Sequence, residues 1–341
     1  MIWRITGSSI ILLEANGGGV IHSDLFYHII STKNLLAAWR EFRRSKNKKP
    51  DIQKFEFNLE KNILDIHFSL RRKTYLNEPY VPFYVYDPKR RHIHKAHVRD
   101  RVVHQAIFRQ LYHIFDPCFI YDSYACRFEK GTHAGVNKLE VFLRKETKNY
   151  TRNAWVLKCD IAKFFDSIDH EVLKNILYRK IECIETRWLL ENIIKSFEKE
   201  KSKGLPLGNV TSQLFANVYM NVFDQFMKHE LKAIHYIRYC DDFLIVSENP
   251  EFLQSLLPKI SEFLDQKLKL KLHPKKVEIR KVSQGIDFLG YVILPHYRVL
   301  RTSTKKRILR RSKKHLSKGS KCSYLGILSH CKGYKIAKEF K

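Results

Sequence analysis

Closely spaced cysteines, long apolar runs and acidic residues are all scarce in this sequence. The seven cysteines have no close-paired spacing, which argues against a zinc ribbon or a Cys-x-x-Cys redox site. No run of about 18 apolar residues occurs that could span a membrane. The one candidate signal segment, residues 8–13, is short and ends at Glu14. We therefore expect a cytoplasmic protein that does not associate with a membrane.

The shortage of acids leaves a large positive charge. The chain has 63 Lys and Arg against 35 Asp and Glu, a net charge of +28. Such an excess is typical of proteins that bind a polyanion, because phosphate groups neutralise the cations and release counterions. Nucleic acid is the expected partner. With 44% apolar residues, the chain also has enough material for a sizeable core.

Two adjacent acids, Asp241 and Asp242, lie between apolar and β-branched runs at residues 235–238 and 243–246. The runs predict two strands joined by a tight turn. Neighbouring carboxylates raise each other's pKa, so the pair is tolerable only in open solvent or beside a cation. A metal site is one interpretation, and a solvated hairpin turn is the other.

A third acid, Asp160, ends the apolar run Trp155–Cys159. A charge at the end of a buried strand needs a partner. In two-metal phosphoryl transfer, carboxylates hold two divalent ions about 4 Å apart. Asp160 and the pair at 241–242 are therefore the predicted ligands, whereas Asp166 and Asp169 are predicted to cap the helix that follows.

Two further segments have compositions that suit nucleotide binding. The basic segment 87–101 can grip a triphosphate, although a solvated basic loop is an equal alternative. In Gly204–Gln213, the glycines let the backbone approach a ligand, and Asn209 or Thr211 can cap the next helix. A structural turn is the alternative for this second segment.

In their order along the chain, these motifs resemble those of reverse transcriptases, from about residue 24 to residue 341. Asp160 matches the aspartate of the first palm motif, and residues 239–242 match the Tyr-x-Asp-Asp motif. Residues 272–276 and 288–291 look like the later palm motifs. The resemblance implies an α+β fold, a right-hand polymerase with fingers, an antiparallel palm sheet and a short helical thumb.

The resemblance also points to a branch of that family. Residues 99–106 and 122–133 are similar to the group II intron-like prokaryotic enzymes. Most reverse transcriptases have glutamine where this chain has Leu207. This feature, with Thr211–Gln213 and the segment 323–326, resembles enzymes of diversity-generating retroelements. The alternatives are a stand-alone, defence-associated reverse transcriptase and, more remotely, a non-catalytic RNA-binding scaffold.

Five parts of the chain are expected on this basis. They are an unplaced leader (1–22), an N-terminal helical segment (23–78), fingers (79–154), a palm (155–296, with 175–210 returning toward the fingers) and a basic helical thumb (297–341). The last 44 residues, from Arg298, hold 15 Lys and Arg and one acid, Glu339. A disordered basic tail is the alternative to a thumb.

The resemblance implies roles for residues at the reaction centre. The two metal ions are expected to be Mg²⁺, with Mn²⁺ as a substitute, and their ligands are Asp160, Asp241, Asp242 and the backbone carbonyl of Ile161. Lys276 matches a lysine that acts as a general acid toward the departing pyrophosphate. Lys275 is an equally available neighbour.

Other residues are implied to bind the nucleotide. Lys89 and Arg91 match positions that grip the triphosphate, with Arg90 as the alternative by one position. Phe165 matches the aromatic residue that excludes a 2′-hydroxyl, or else it is a plain core residue. The remaining nucleotide-binding positions are Leu207, Gly208 and Gln213.

The implied partners are a template RNA, its RNA/DNA primer-template duplex and deoxynucleotides. A small basic accessory protein with a helical fold is also implied. The implied reaction is synthesis of cDNA, error-prone opposite template adenines, for mutagenic retrohoming.

Overall fold

The computed structural model of this chain describes residues 24–86, 90–312 and 317–340. The predicted leader, residues 1–22, lies outside these ranges. Within them, no helix is both long enough and apolar enough to cross a bilayer. The seven cysteines are all free thiols.

Four helices form the N-terminal part of the structure: α1 (Leu25–Ile30), α2 (Thr32–Arg43), α3 (Pro50–Phe57) and α4 (Leu59–Arg71). Helix α2 begins where the Ser31 hydroxyl accepts a hydrogen bond from the Asn34 amide at 3.2 Å. Its apolar face, with Leu35 and Trp39, is fully buried. Helix α4 likewise buries the side chains of Ile63, Ile66 and Leu70.

A two-stranded antiparallel hairpin follows, formed by β1 (Val81–Val85) and β2 (Arg91–Lys95). Its tip, residues 87–89, lies outside the described residues, and so does the predicted triphosphate contact Lys89. The hairpin leads into α5 (Val98–Phe115), whose apolar face packs against α2 and the N-terminal helices.

A four-stranded antiparallel sheet with the order β4-β5-β3-β6 lies at the centre of the fold. Its strands are β3 (Trp155–Asp160), β4 (Tyr236–Tyr239), β5 (Asp242–Ser247) and β6 (Glu278–Lys281). Together with the surrounding helices, this sheet confirms the predicted α+β class and the antiparallel palm sheet.

Helices and short turns surround the sheet: α6 (Thr132–Glu146), α7 (Phe164–Ser167), α8 (His170–Tyr178), α9 (Ile184–Lys195), α10 (Val210–Gln225), a π turn (Phe226–Glu230) and α11 (Pro250–Leu268). The Asp169 carboxylate accepts from the Val172 amide at 3.0 Å, so the predicted cap of α8 is confirmed. The prediction was wrong for Asp166, which lies inside α7 and caps no helix.

A second antiparallel sheet and the C-terminal helices complete the described chain. The strands are β7 (Ile286–Phe288), β8 (Tyr291–Leu294) and β9 (Tyr297–Leu300), and the helices are α12 (Thr302–Ser312), α13 (Lys318–Leu328) and α14 (Tyr334–Ala337). Short 3₁₀ turns cover Asp116–Cys118, Val282–Gln284 and Lys338–Phe340. The predicted division between residues 296 and 297 lies between the paired strands β8 and β9.

Two hydrophobic clusters meet at the central sheet. Along β3, Leu157 and Cys159 belong to the cluster shared with the N-terminal helices and α8–α11. Val156 belongs to the cluster shared with α6, β7–β9 and the C-terminal helices. Because neighbouring residues of a strand face opposite sides, both faces of the sheet are buried.

Candidate active site

The three predicted acids meet at one edge of the central sheet. Strand β3 ends at Asp160, which lies directly opposite Asp242, the first residue of β5. Side chains of directly opposed residues project from the same face of a sheet. Asp241 occupies the turn just before β5, and its carbonyl accepts from the Ile161 amide at 3.3 Å. Residues far apart in sequence are therefore neighbours here.

The turn between β4 and β5 has an unusual backbone. Tyr239 pairs with Asp242, which leaves Cys240 and Asp241 as a two-residue connection. Cys240 has φ 60°, in the left-handed region that side chains other than glycine rarely occupy. Two-residue hairpins favour glycine at such positions. The acids are thus carried by a turn that has local backbone strain.

Burial disfavours the ionised form of the two carboxylates at the β4–β5 turn. Burial raises the pKa of Asp242 to about 7, and nearby Lys158 partly opposes it. The pKa of Asp241 is also raised, by burial and then by the charge of Asp160. One carboxylate oxygen of Asp242 is buried without a hydrogen-bond partner among the described residues. Desolvated carboxylates of this kind need a cation.

Lys276 is the predicted lysine that reaches the acids. Its Nζ lies 2.8 Å from Asp160 Oδ1. The His273 amide donates to the Asp160 carbonyl at 2.8 Å, which holds the lysine's loop against the end of β3. Lys275 instead uses its backbone amide, which donates to His273 Nδ1 at 3.2 Å. The geometry favours Lys276 over its neighbour.

The donor atoms at this edge fit divalent cations, although the side chains are not arranged around one. As they stand, the described parts of the chain contain no group of three or more His, Cys, Asp or Glu side chains that could hold a metal ion. Carboxylate oxygens are the ligands that Mg²⁺ prefers in proteins. The unpartnered oxygen of Asp242 and the ammonium group beside Asp160 are both consistent with a site for positive charge.

The sequence interpretation missed two cations near the acids. The charges of Lys158 and Arg301 both lower the pKa of Asp242. Lys158 donates to the Asp287 carbonyl at 2.7 Å, and Arg301 forms an ion pair with the Asp287 side chain. A lysine inside the apolar strand β3 was an available signal. Nothing in the sequence pattern distinguished Arg301 from the other C-terminal cations.

Phe165 follows Asp160 by five residues and is only partly buried. The preceding Phe164 is a core residue, and the two rings meet edge to face at 5.3 Å between centroids. The Phe165 carbonyl accepts from the Leu205 amide at 2.8 Å. This bond joins the aromatic pair to the segment Gly204–Gln213.

That segment also contacts the β1–β2 hairpin. The Leu207 carbonyl accepts from the His94 amide at 3.4 Å. Gly208 has φ +107°, and a Cβ built there would lie 3.2 Å from the Ile93 side chain. Gln213 is exposed on the first turn of α10. The structure therefore brings Leu207 and Gly208 to one seam with the hairpin.

The capping prediction for this segment was wrong. Asn209 occupies the N-cap position of α10, but its side chain makes no capping bond. Both polar atoms of the Asn209 amide are buried without a hydrogen-bond partner among the described residues. The alternative cap, Thr211, lies inside the helix and is buried.

The two arginines after the hairpin tip have different positions. Arg91 pairs with Val85, two residues from Ile93, so it shares the hairpin face that contacts Gly208. Arg90 lies over the Tyr84 ring, 4.2 Å from its centroid. This arrangement is consistent with Arg91 as the nucleotide contact.

A basic cleft of about 750 Å³ opens in front of Asp242. Tyr86 and the turn Leu289–Gly290 line it on one side. The cations along it come from the start of α12 and from that helix: Arg301, Lys306, Arg307 and Arg310. The sequence predicted a basic C-terminal segment but not that it would face the acids.

Comparisons with known proteins agree with this geometry. The family described as "Reverse transcriptase (RNA-dependent DNA polymerase)" matches residues 87–293, more than half of the chain. Protein YkfC of Escherichia coli (strain K12) is 26% identical over 235 residues, covering 58% of this chain and 61% of that protein. Group II intron-encoded protein LtrA of Lactococcus lactis subsp. cremoris is 24% identical over 320 residues, covering 73% and 51%.

Among solved structures, one similar chain is apo telomerase from Candida tropicalis, truncated from its C-terminal domain. The TM-score is 0.48 at 15% sequence identity, covering 70% of this chain and 60% of that one. The chain spans between about half and three fifths of the length of the two curated relatives named above.

Proposed function

Because this chain belongs to the reverse transcriptase family, we propose that it is an RNA-directed DNA polymerase that copies a template RNA into cDNA. The observation that carries the proposal is the pairing of Asp160 with Asp242 across the sheet, with Asp241 in the adjoining turn. Nucleic acid as a partner is further supported by the net charge of +28.

The three acids are the proposed ligands of two divalent ions, Mg²⁺ or Mn²⁺, with the Ile161 carbonyl as an additional donor. When bound, such ions activate the primer 3′-hydroxyl and stabilise charge on the leaving oxygens. Lys276 holds a proton on Nζ beside Asp160 and is the proposed donor to the departing pyrophosphate.

The proposed nucleotide site lies between the acids and the β1–β2 hairpin. Phe165 excludes a 2′-hydroxyl with its ring, and Gly208 lets the backbone approach the base and sugar. Gln213, which is exposed on α10, is the remaining proposed contact with the nucleotide. Arg91, together with Lys89 outside the described residues, neutralises the triphosphate.

Primer extension on an RNA template tests the proposal. We expect Asp242→Asn or Asp160→Asn to lower extension by more than about 100-fold, because each removes a charge that stabilises the transition state. Template-primer affinity should change little, since the cations that bind phosphate remain. Asp166→Asn is the matched control, and it should extend primers like the parent. Equal extension by all variants would contradict the proposal, and a parent that binds RNA without extending it would favour the scaffold.

The finer proposal is a retroelement enzyme that copies its template with errors opposite adenines. It is supported by Leu207 and by Thr211–Gln213, which resemble diversity-generating retroelements. Paired template and variable repeats near the gene would favour it, and their absence would favour the defence-associated alternative. The small basic accessory protein belongs to the same proposal, and co-purification with the chain tests it.

A further inference from the structure

Arg238, three residues before Asp241, is completely buried beneath the acid-bearing turn. Its side chain and that of Asp224 both have 0% exposure. The guanidinium forms a two-bond ion pair with this carboxylate, Nε to Oδ1 at 2.7 Å and Nη2 to Oδ2 at 2.6 Å. A buried ion pair gains little net stability over well-packed apolar side chains, because both charges must be desolvated. Stability alone therefore gives weak reason for an arginine here.

The remaining guanidinium hydrogens reach the turn and two flanking segments. Nη1 donates to the Cys240 carbonyl at 2.9 Å, and Cys240 is the residue with φ 60°. Nη2 donates to the Ser123 hydroxyl at 3.0 Å. Nη1 also donates to Asn217 Oδ1 at 3.4 Å. The group that holds the strained carbonyl is thus fixed from several sides.

The backbone of Arg238 is fixed as well. Its amide donates to the Asp122 carbonyl at 3.0 Å, and its carbonyl accepts from the Tyr124 amide at 2.9 Å. From α10, the Asn217 amide nitrogen donates to the Ala125 carbonyl at 2.8 Å. Part of the segment 122–133, which had no physical role above, therefore converges on this arginine together with Asn217 of α10.

We propose that Arg238 is a positioning residue: it holds the Cys240 carbonyl so that Asp241 and Asp242 stay arranged for divalent cations. The predicted loss of primer extension rests on the proposed function. The predicted loss of cation binding does not. A strained backbone conformation persists where the surrounding contacts hold it in place, and the hydrogen bond from Arg238 to the Cys240 carbonyl is such a contact. Asp224 and Ser123 act through the guanidinium, and neither contacts the acids' side chains in the hydrogen bonds of the structure.

A charge-free double variant separates positioning from stability. Arg238→Met alone leaves Asp224 buried and unpaired, which is destabilising whatever the arginine does. Adding Asp224→Asn removes that charge and keeps an acceptor for the Tyr236 hydroxyl, which now donates to Asp224 at 2.7 Å. We expect the double variant to melt within a few degrees of the parent and to bind template-primer duplex equally well.

The decisive readout is Mn²⁺ binding, measured by calorimetry or electron paramagnetic resonance on the protein with template-primer and no nucleotide. Outer-shell substitutions weaken metal affinity by about 10- to 100-fold, and we expect a loss in that range. Primer extension should fall with it. A double variant that melts like the parent and also binds Mn²⁺ like the parent would overturn the proposal.

Arg238→Lys covers the case in which the double variant does not fold. A lysine keeps the ion pair with Asp224, but one ammonium cannot reproduce the fixed fork that also reaches Cys240. We expect the same loss of Mn²⁺ affinity. Adding Cys240→Gly should recover part of it, because glycine adopts φ 60° without strain. Unchanged Mn²⁺ affinity in Arg238→Lys would overturn the proposal.

The two proposals fail in different ways. If the parent binds Mn²⁺ through the acids but extends no primer, the proposed function fails while the Arg238 comparison still stands. Asp242→Asn is the reference for binding at the acids. If it binds Mn²⁺ as tightly as the parent, these acids bind no cation and the inference about Arg238 is overturned.

Discussion

Phe164 and Phe165 are neighbours in sequence with different surroundings. Phe164 is buried in the core, whereas Phe165 remains half-buried. Lys163 precedes them at the N-cap of α7 with φ 45°. The aromatic pair after Asp160 is visible in the sequence, but which of the two rings enters the core depends on the tertiary packing around α7.

We predict that Phe165→Val admits ribonucleotides that the parent rejects. The smaller side chain leaves room for a 2′-hydroxyl, so discrimination between dATP and ATP should fall by roughly 10- to 100-fold. Single-nucleotide extension with each substrate measures the ratio. Phe164→Leu is the control: it should lower stability by about 1 kcal/mol and leave the ratio unchanged. Unaltered discrimination in Phe165→Val would make Phe165 a core residue.

A second residue-scale prediction concerns copying errors at Leu207. An aliphatic side chain offers no directional hydrogen bond to the nascent base pair, whereas a glutamine amide does. We expect Leu207→Gln to reduce misincorporation opposite template adenines by about 2- to 10-fold, the range of one hydrogen bond. Sequencing of cDNA from one defined RNA measures it.

The control for this residue is Leu207→Met, which keeps an apolar side chain and should keep the parent's error rate. Low error at adenine in all three proteins would count against mutagenic copying. High error in all three would support the retroelement proposal and show that Leu207 only packs against the β1–β2 hairpin.

At this scale, the candidate acids could be found where they depended on local pattern. Asp160, Asp241 and Asp242 stood out because charges interrupted apolar strands. Lys158 also interrupts an apolar run and was an available signal, whereas Arg301 was not, because its proximity to Asp242 depends on how distant segments pair. The unbonded amide of Asn209 was likewise unpredictable, since the surrounding packing, not the residue type, decides whether a cap forms.

At the scale of elements, helix α12 shows most clearly that the orientation of a helix decides which surface its charges face. Its cations line the cleft in front of Asp242. The resemblance predicted a helical segment here, and composition predicted its charge. Neither could indicate the cleft, because the orientation of α12 follows from the β7–β9 sheet that precedes it.

We predict that Lys306→Gln with Arg310→Gln flattens the salt dependence of template-primer binding. Each phosphate contact contributes about 0.9 to the slope of log affinity against log salt on a duplex, so two lost contacts should reduce it by nearly two units. Fluorescence anisotropy at several salt concentrations measures the slope.

Lys259→Gln with Lys267→Gln on α11 removes the same charge and is the matched control. These lysines line a different cavity, between the π turn and α11, together with Phe263. We expect a much smaller change in slope there. Equal slopes for the two double variants would mean that net charge, and not the cleft, determines duplex binding.

At the scale of the whole molecule, the described parts of the basic C-terminal segment, up to residue 312 and over 317–340, belong to the fold. Ile308, Tyr324 and Leu328 are buried in the same cluster as Val156 of the central sheet. The described residues of this segment are therefore packed on the core and do not form a free tail. Composition could not reveal that the segment shares a core with the strand that carries Asp160.

We therefore predict that deletion of residues 298–341 destabilises the remaining protein instead of simply weakening duplex binding. Removing β9 and the helices after it exposes apolar side chains worth about 5 kcal/mol or more. Thermal unfolding followed by circular dichroism should show a melting temperature lower by many degrees. A truncated chain that melts like the parent would show that the cluster contributes little.

Neighbouring side chains of β3 face opposite sides of the sheet, which determines how changes in core packing reach the acids. Leu157 and Cys159 belong to one hydrophobic cluster and Val156 belongs to the other, so β3 separates two parts of the core. Asp160 is the last residue of this six-residue strand. We therefore expect that a change of packing in either part of the core, at the N-terminal helices or at the C-terminal ones, reaches the same carboxylate.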